Sequence, residues 1–202
     1  MTPWALGILL AGSALAASAP LRAAEPARTL PRLVEGAPNT RPIVLGDDAD
    51  ACGGDAEGPA VRVEVAGLKE RSGYLRAELY PATREDFLKP DRLLEAEGKP
   101  FRRAWRAVPP AGPAVLCLKA PQPGQYALAV VHVRERRWKF DVRRDGAGFS
   151  NNPRLGLGRP PVERVAFAVG GGVTRQTVVM NYLQGLAFRP LPAPAARWAA
   201  IP

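Results

Sequence analysis

The chain of 202 residues has one histidine, His132, and two cysteines, Cys52 and Cys117. A structural metal centre built from cysteine and histidine needs more ligands than these. Any Ser-His-Asp or Cys-His arrangement would have to pass through His132. The apolar run 5–19 is shorter than the ~20 residues that a membrane-spanning helix requires. The net charge is +9, carried mainly by arginine, yet no nucleic-acid-binding motif accompanies it, so nucleic acid is not expected as a partner. No lipid-anchor cysteine follows the first apolar segment, where Ser13 stands in "LLAGS".

What is present begins with that segment. "ALGILLAGSALAASA" (5–19) is an uncharged apolar run ending in small residues, the pattern of a signal-peptide core, although "MTPW" before it carries no Lys or Arg. Ala14-Leu15-Ala16 and Ala17-Ser18-Ala19 both offer a small-x-small cleavage site. The first is preferred, because the second would leave Pro20 at the new N-terminus. The expectation is a periplasmic or secreted protein. In that compartment an even cysteine pair reads as one disulfide, Cys52–Cys117, which is worth roughly 4 kcal/mol in the chain-entropy model. The 22 prolines and 20 glycines crowd the ends and the turns. Residues 1–19 read as signal peptide, 20–58 as a flexible leader, 59–189 as a β-domain and 190–202 as a disordered tail.

From Ala60 the pattern turns to period two. "VRVEV" alternates Val61, Val63 and Val65 with Arg62 and Glu64, and "YLRAELY" sets Leu75, Ala77 and Leu79 on one face. "LKERSG" between them predicts a hairpin. "TREDFLKPDRLLEA" is helical in composition but broken by Pro90, predicting one short helix across an end. "FRRAWRAV", "PAVLCLKA" and "QPGQYALAVVHV" follow as strands, the last with Leu128, Val130 and His132 on one face. "VERVAFAV" and "VTRQTVVMNYL", joined by Gly170-Gly171-Gly172, predict a second hairpin. About seven short strands with little helix mean an all-β antiparallel sandwich.

The run Pro123-Gly124-x-Tyr126-Ala127-x-Ala129-Val130, then His132, Lys139 and Asp141, then Gly148-Phe149-Ser150-Asn151-Asn152, resembles the bacterial secreted family called domain of unknown function 2141. Gly73, Arg76, Leu79, Tyr80, Phe87 and Leu88 fit the same pattern, so the resemblance runs from Val61 to Met180. It implies an immunoglobulin-like or transthyretin-like sandwich, exported, with no established activity. Relatives carry an acidic, Asn- and Gly-rich connector like a calcium loop, which needs several oxygen ligands on a tight turn. Here the connector is "HVRERRWKFD", and Arg134, Arg136 and Arg137 would repel a cation; no metal and no cofactor are expected.

The candidate ligand-binding residues are His132, Arg136, Arg137, Trp138, Phe149, Ser150, Asn151 and Asn152. The basic, aromatic connector 133–144 suits an anionic envelope component or another envelope protein. His132 reads as a structural histidine bonded to the "GFSNN" loop, and the Asn pair as a cap on its own turn through side-chain to backbone bonds. "LGLGRPP" is expected to lie flat against a sheet edge. With no catalytic residue set in view, the leading expectation is a non-enzymatic envelope binding or scaffold module. The alternative is a transthyretin-like hydrolase using His132 and the Asn151-Asn152 loop.

Overall fold

The computed structural model describes residues 33–34, 43–54, 56, 58–134, 139–156 and 158–192. The expected signal peptide, most of the leader, Arg136, Arg137, Trp138 and most of the tail lie outside them. A short antiparallel pair, β1 (Leu33–Val34) and β2 (Ile43–Val44), precedes the main body. There follow β3 (Ala60–Ala66), β4 (Tyr74–Pro81), helix α1 (Asp91–Ala96), β5 (Arg102–Ala107), β6 (Ala114–Lys119) and β7 (Gly124–Val133). Then come β8 (Gly146–Phe149), β9 (Ala166–Val169), β10 (Val173–Val179), β11 (Asn181–Gln184) and β12 (Ala187–Pro190).

Ten of these strands form a sandwich. The smaller sheet has the order β10-β3-β6, and the larger runs β12-β11-β8-β7-β4-β5 with β9 on the other end of β7. Valines 61, 63 and 65 of β3 face Leu75, Ala77 and Leu79 of β4 and Tyr126, Leu128 and Val130 of β7 across one apolar core. Every pairing within the two sheets is antiparallel except β3 with β10, which run parallel.

Both predicted hairpins are instead crossovers between sheets. β3 pairs with β6 and β10, while β4 pairs with β5 and β7, so "LKERSG" carries the chain from one layer to the other. β9 pairs with β7 and β10 with β3, so the triple glycine does the same. An alternating strand has one apolar face, and that face is equally well buried beside its neighbour or opposite it. Periodicity therefore shows that strands exist and leaves their partners open.

The larger sheet is buried on both faces, which explains the unbroken apolar run of β7. Its outer face carries Ala127, Ala129, Val131 and Val133, covered by two further clusters. One contains Tyr80, Phe87, Leu94, Phe149, Val162 and Val165; the other holds Trp105 with Leu45 packed against it. α1, with Pro90 just before its first residue, thus sits over the sheet face through Leu94.

The leader's described part closes one side of the sandwich. Gly46 exchanges both backbone hydrogen bonds with Trp105 on edge strand β5, at 2.9 and 3.0 Å. Asp48 N–H donates to the Cys117 carbonyl on edge strand β6. The Asp47 and Asp48 carboxylates accept the N–H groups of Cys117 and Lys119, at 3.2 and 2.7 Å. The Cys52–Cys117 disulfide, spanning 65 residues with Cα atoms 6.0 Å apart, pins this strap. Exposed strand edges invite unwanted pairing, and here both are occupied.

Candidate functional site

Strand register builds a depression on the outer face of the larger sheet. Two transverse rows cross it: Arg103, Glu78, Ala129 and Phe149, and beside them Trp105, Arg76, Val131 and Ala147. Residues directly opposite on paired strands lie side by side, so the small Ala129 and Ala147 leave a hollow between bulkier neighbours. Leu88, Phe140, Phe149, Leu155 and Phe188 wall it, giving a pocket of about 360 Å³ within the ordinary range for small-ligand sites. Phe140 and Val142 on its rim are 36% and 42% exposed, a large solvent share for such side chains.

One end of the pocket is charged. Glu78 is buried, accepts from Arg103 Nε at 2.6 Å and from the Tyr80 hydroxyl at 3.0 Å, and lies 3.4 Å from Arg76 Nε. Arg103 also donates to Asp91 at 2.6 Å. The Arg76 guanidinium lies 5.3 Å from the Trp105 ring centroid, a cation–π distance. Burial and the neighbouring Glu78 carboxylate push the Tyr80 hydroxyl well above its usual pKa, so it stays a neutral donor. At the opposite wall Leu88 takes φ 60°, a left-handed conformation costly for a bulky residue. The Phe87 side chain of the same turn is buried, while its carbonyl accepts from Arg159 at 3.2 Å.

The "GFSNN" residues, Gly148 to Asn152, brace this architecture, and they do so over long range. The buried Ser150 hydroxyl accepts Leu128 N–H at 3.1 Å and donates to the Val165 carbonyl. Asn151 and Asn152 adopt φ 60° and 47°. Asn151 Nδ2 donates to Ala166 O at 2.8 Å. Asn152 donates to Thr177 O at 2.8 Å and accepts Val179 N–H at 2.7 Å. Its carboxamide thus imitates a strand residue along the free edge of β10. The expected cap on their own turn is corrected: these side chains reach segments 15 to 27 residues away. Gly148, in β8, is needed for this closeness, because a Cβ there would stand 2.5 Å from Val178 Cγ1 and 2.9 Å from Val179 O. "LGLGRPP" likewise covers the sheet's outer face, through Leu155 and Arg159, instead of an edge.

His132 is 0% exposed. Its Nε2 lies 2.8 Å from the Ser72 carbonyl and its Nδ1 2.7 Å from the Tyr182 hydroxyl. A carbonyl only accepts, so Nε2 carries the proton and Nδ1 accepts from Tyr182. Tyr182 in turn accepts Lys69 N–H at 3.0 Å. The expected bond to the "GFSNN" loop is replaced by this chain, which ties β7, β11 and the β3–β4 crossover together. Burial lowers the His132 pKa and pushes the Tyr182 hydroxyl up to about 12. Of the candidate residues that the structure describes, only Phe149 lines the pocket.

The described part of the connector is anchored at both ends. Asp145, buried, accepts the N–H groups of Arg134 and Asp141, and Arg134 pairs with Glu70 through two nitrogens. The Arg134 hydrogen bond holds the Glu70 carboxyl below its usual range. Glu85, Asp86 and Glu97 also converge, but the Lys89 ammonium lies within 4.0 Å of all three carboxylates. The pocket escaped sequence reasoning because its residues come from many separated stretches between Arg76 and Phe188.

No curated protein and no solved structure matches the chain. A family model described as "Uncharacterized protein conserved in bacteria (DUF2141)" matches residues 63–177, more than half of the chain and most of the sandwich, β11 and β12 excepted. With that match and the two-sheet fold beneath it, the chain belongs to this uncharacterised bacterial family.

Proposed function

We propose that the protein is an exported, non-enzymatic binding module of the bacterial envelope, and that the outer-face pocket is where it binds. The observation that carries this reading is a hollow of about 360 Å³ with an apolar wall, an exposed aromatic rim and a charged end. Monomeric surfaces seldom leave such apolar area open without a use. The disulfide suits an oxidising compartment, and among the described residues no helix is long and apolar enough to cross a membrane. The described end of the basic connector borders the same mouth, with Phe140 and Val142 on the rim and Arg143 and Arg144 exposed beside them. His132, buried with both ring nitrogens engaged, offers no support for a hydrolase.

The test is titration with the neutral fluorescent probe N-phenyl-1-naphthylamine. The native protein is expected to bind it at one site, and Ala147→Phe, which fills the hollow from β8, to lose at least tenfold in affinity. Unchanged binding by a folded Ala147→Phe variant would overturn the site. Should that variant fail to fold, NMR shift mapping on the native protein decides: shifts centred away from Phe149 and Phe188 would also overturn it.

A further inference from the structure

The pocket's charges are not evenly matched along its length. At the floor, Arg103 bridges Glu78 and Asp91 while Arg76 lies beside Glu78, so two guanidiniums face two carboxylates. At the mouth stands Arg159, exposed, its guanidinium donating to the Phe87 carbonyl at 3.2 Å. Among the described residues no carboxylate lies within ion-pairing distance of Arg159. The carbonyl uses one donor and fixes the plane of the group; a guanidinium has five donors in a rigid fork suited to carboxylates. The turn that presents this carbonyl is the one held with Leu88 at φ 60°, and backbone strain of that kind gathers at ligand clamps.

We infer that the pocket takes a single-chain amphipathic carboxylate, its apolar body against Phe140, Phe149, Leu155 and Phe188 and its carboxylate on Arg159. This rests on the pocket reading above and adds the ligand's chemistry to it. Arg143 and Arg144 add positive charge around the mouth, while Arg159 is the cation held in place by the Phe87 carbonyl, and it calls for one negative charge. The apolar wall calls for a body without polar groups, since a buried hydroxyl or amide there would have to find a partner among side chains that offer none. The volume, near the lower end for ligand sites, calls for one chain.

The experiment compares decanoate with decanol, below their aggregation concentrations, on the full mature protein by isothermal titration calorimetry. The native protein is expected to bind decanoate about tenfold more tightly than decanol, equivalent to about 1.4 kcal/mol. Arg159→Gln, at an exposed position and still able to donate to the Phe87 carbonyl, is expected to bind the two equally. Equal binding by the native protein, or a decanoate preference that survives in Arg159→Gln, would overturn the carboxylate inference and leave the pocket standing. Failure of both ligands and of the neutral naphthylamine probe would overturn the pocket itself.

Discussion

Replacing Asn152 by alanine removes the carboxamide that stands in for a strand along β10. Two hydrogen bonds go with it, from Nδ2 to Thr177 O and from Val179 N–H to Oδ1. The site is solvent-exposed, so each bond is worth about 0.5 kcal/mol, the low end of the usual net value. Residue 152 also sits at φ 47°, where a Cβ without a polar side chain costs about 1–2 kcal/mol. The sum is about 2–3 kcal/mol of stability, or roughly 5–10 °C in Tm for a domain of this size. Asn152→Gly keeps the backbone at ease while losing the bonds, so its loss is expected to be smaller, about 1–2 kcal/mol. Urea denaturation followed by tryptophan fluorescence measures both. An Asn152→Ala variant within 0.5 kcal/mol of the native protein would refute the bracing role, and so would a glycine variant costing more than alanine.

Three further outcomes are expected. Reducing the disulfide, or replacing both cysteines by alanine, lowers stability by about 4 kcal/mol and frees the strap; hydrogen exchange then quickens at the backbone amides of positions 105 and 117, and unchanged exchange there would rule out the strap's role. Because burial depresses the His132 pKa, the stability contributed by its neutral ring is complete above the unfolded value of about 6.5 and declines as pH falls below it. The NMR titration of the single imidazole should give a midpoint under 6.5, and urea midpoints should drop from about pH 7.5 to about pH 5.5 more steeply in the native protein than in His132→Gln; a midpoint at or above 6.5 contradicts the buried chain of bonds. Gly148→Ala sets a methyl 2.9 Å from the Val179 carbonyl, a clash with backbone that should cost about 1–3 kcal/mol in thermal unfolding; a cost under 0.5 kcal/mol would show that β8 and β10 can separate freely.

A β-sandwich with one short helix, seven of its strands, the cysteine pair and the family were all legible in the sequence; β8, β12 and the break between β10 and β11 were not. The legible features are properties of local pattern. Alternation of Val61, Val63 and Val65 makes a half-buried strand wherever it lies, and two cysteines permit only one intramolecular bond. Which strand pairs with which came from the folded chain alone. Val61–Val65 and Leu75–Leu79 have the same period, and nothing in it distinguishes a neighbour in one sheet from a partner across the core. The same holds for the loop side chains. Asn152 was legible as a bonded turn residue, but its partners, Thr177 and Val179, come from another layer. His132 was legible as structural, while Tyr182, which orients it, lies 50 residues on. The pocket belongs wholly to the second category. Ala129 and Ala147 are unremarkable in sequence and become a cavity floor only because β7 and β8 pair in the register that sets them beside Phe149 and Val131.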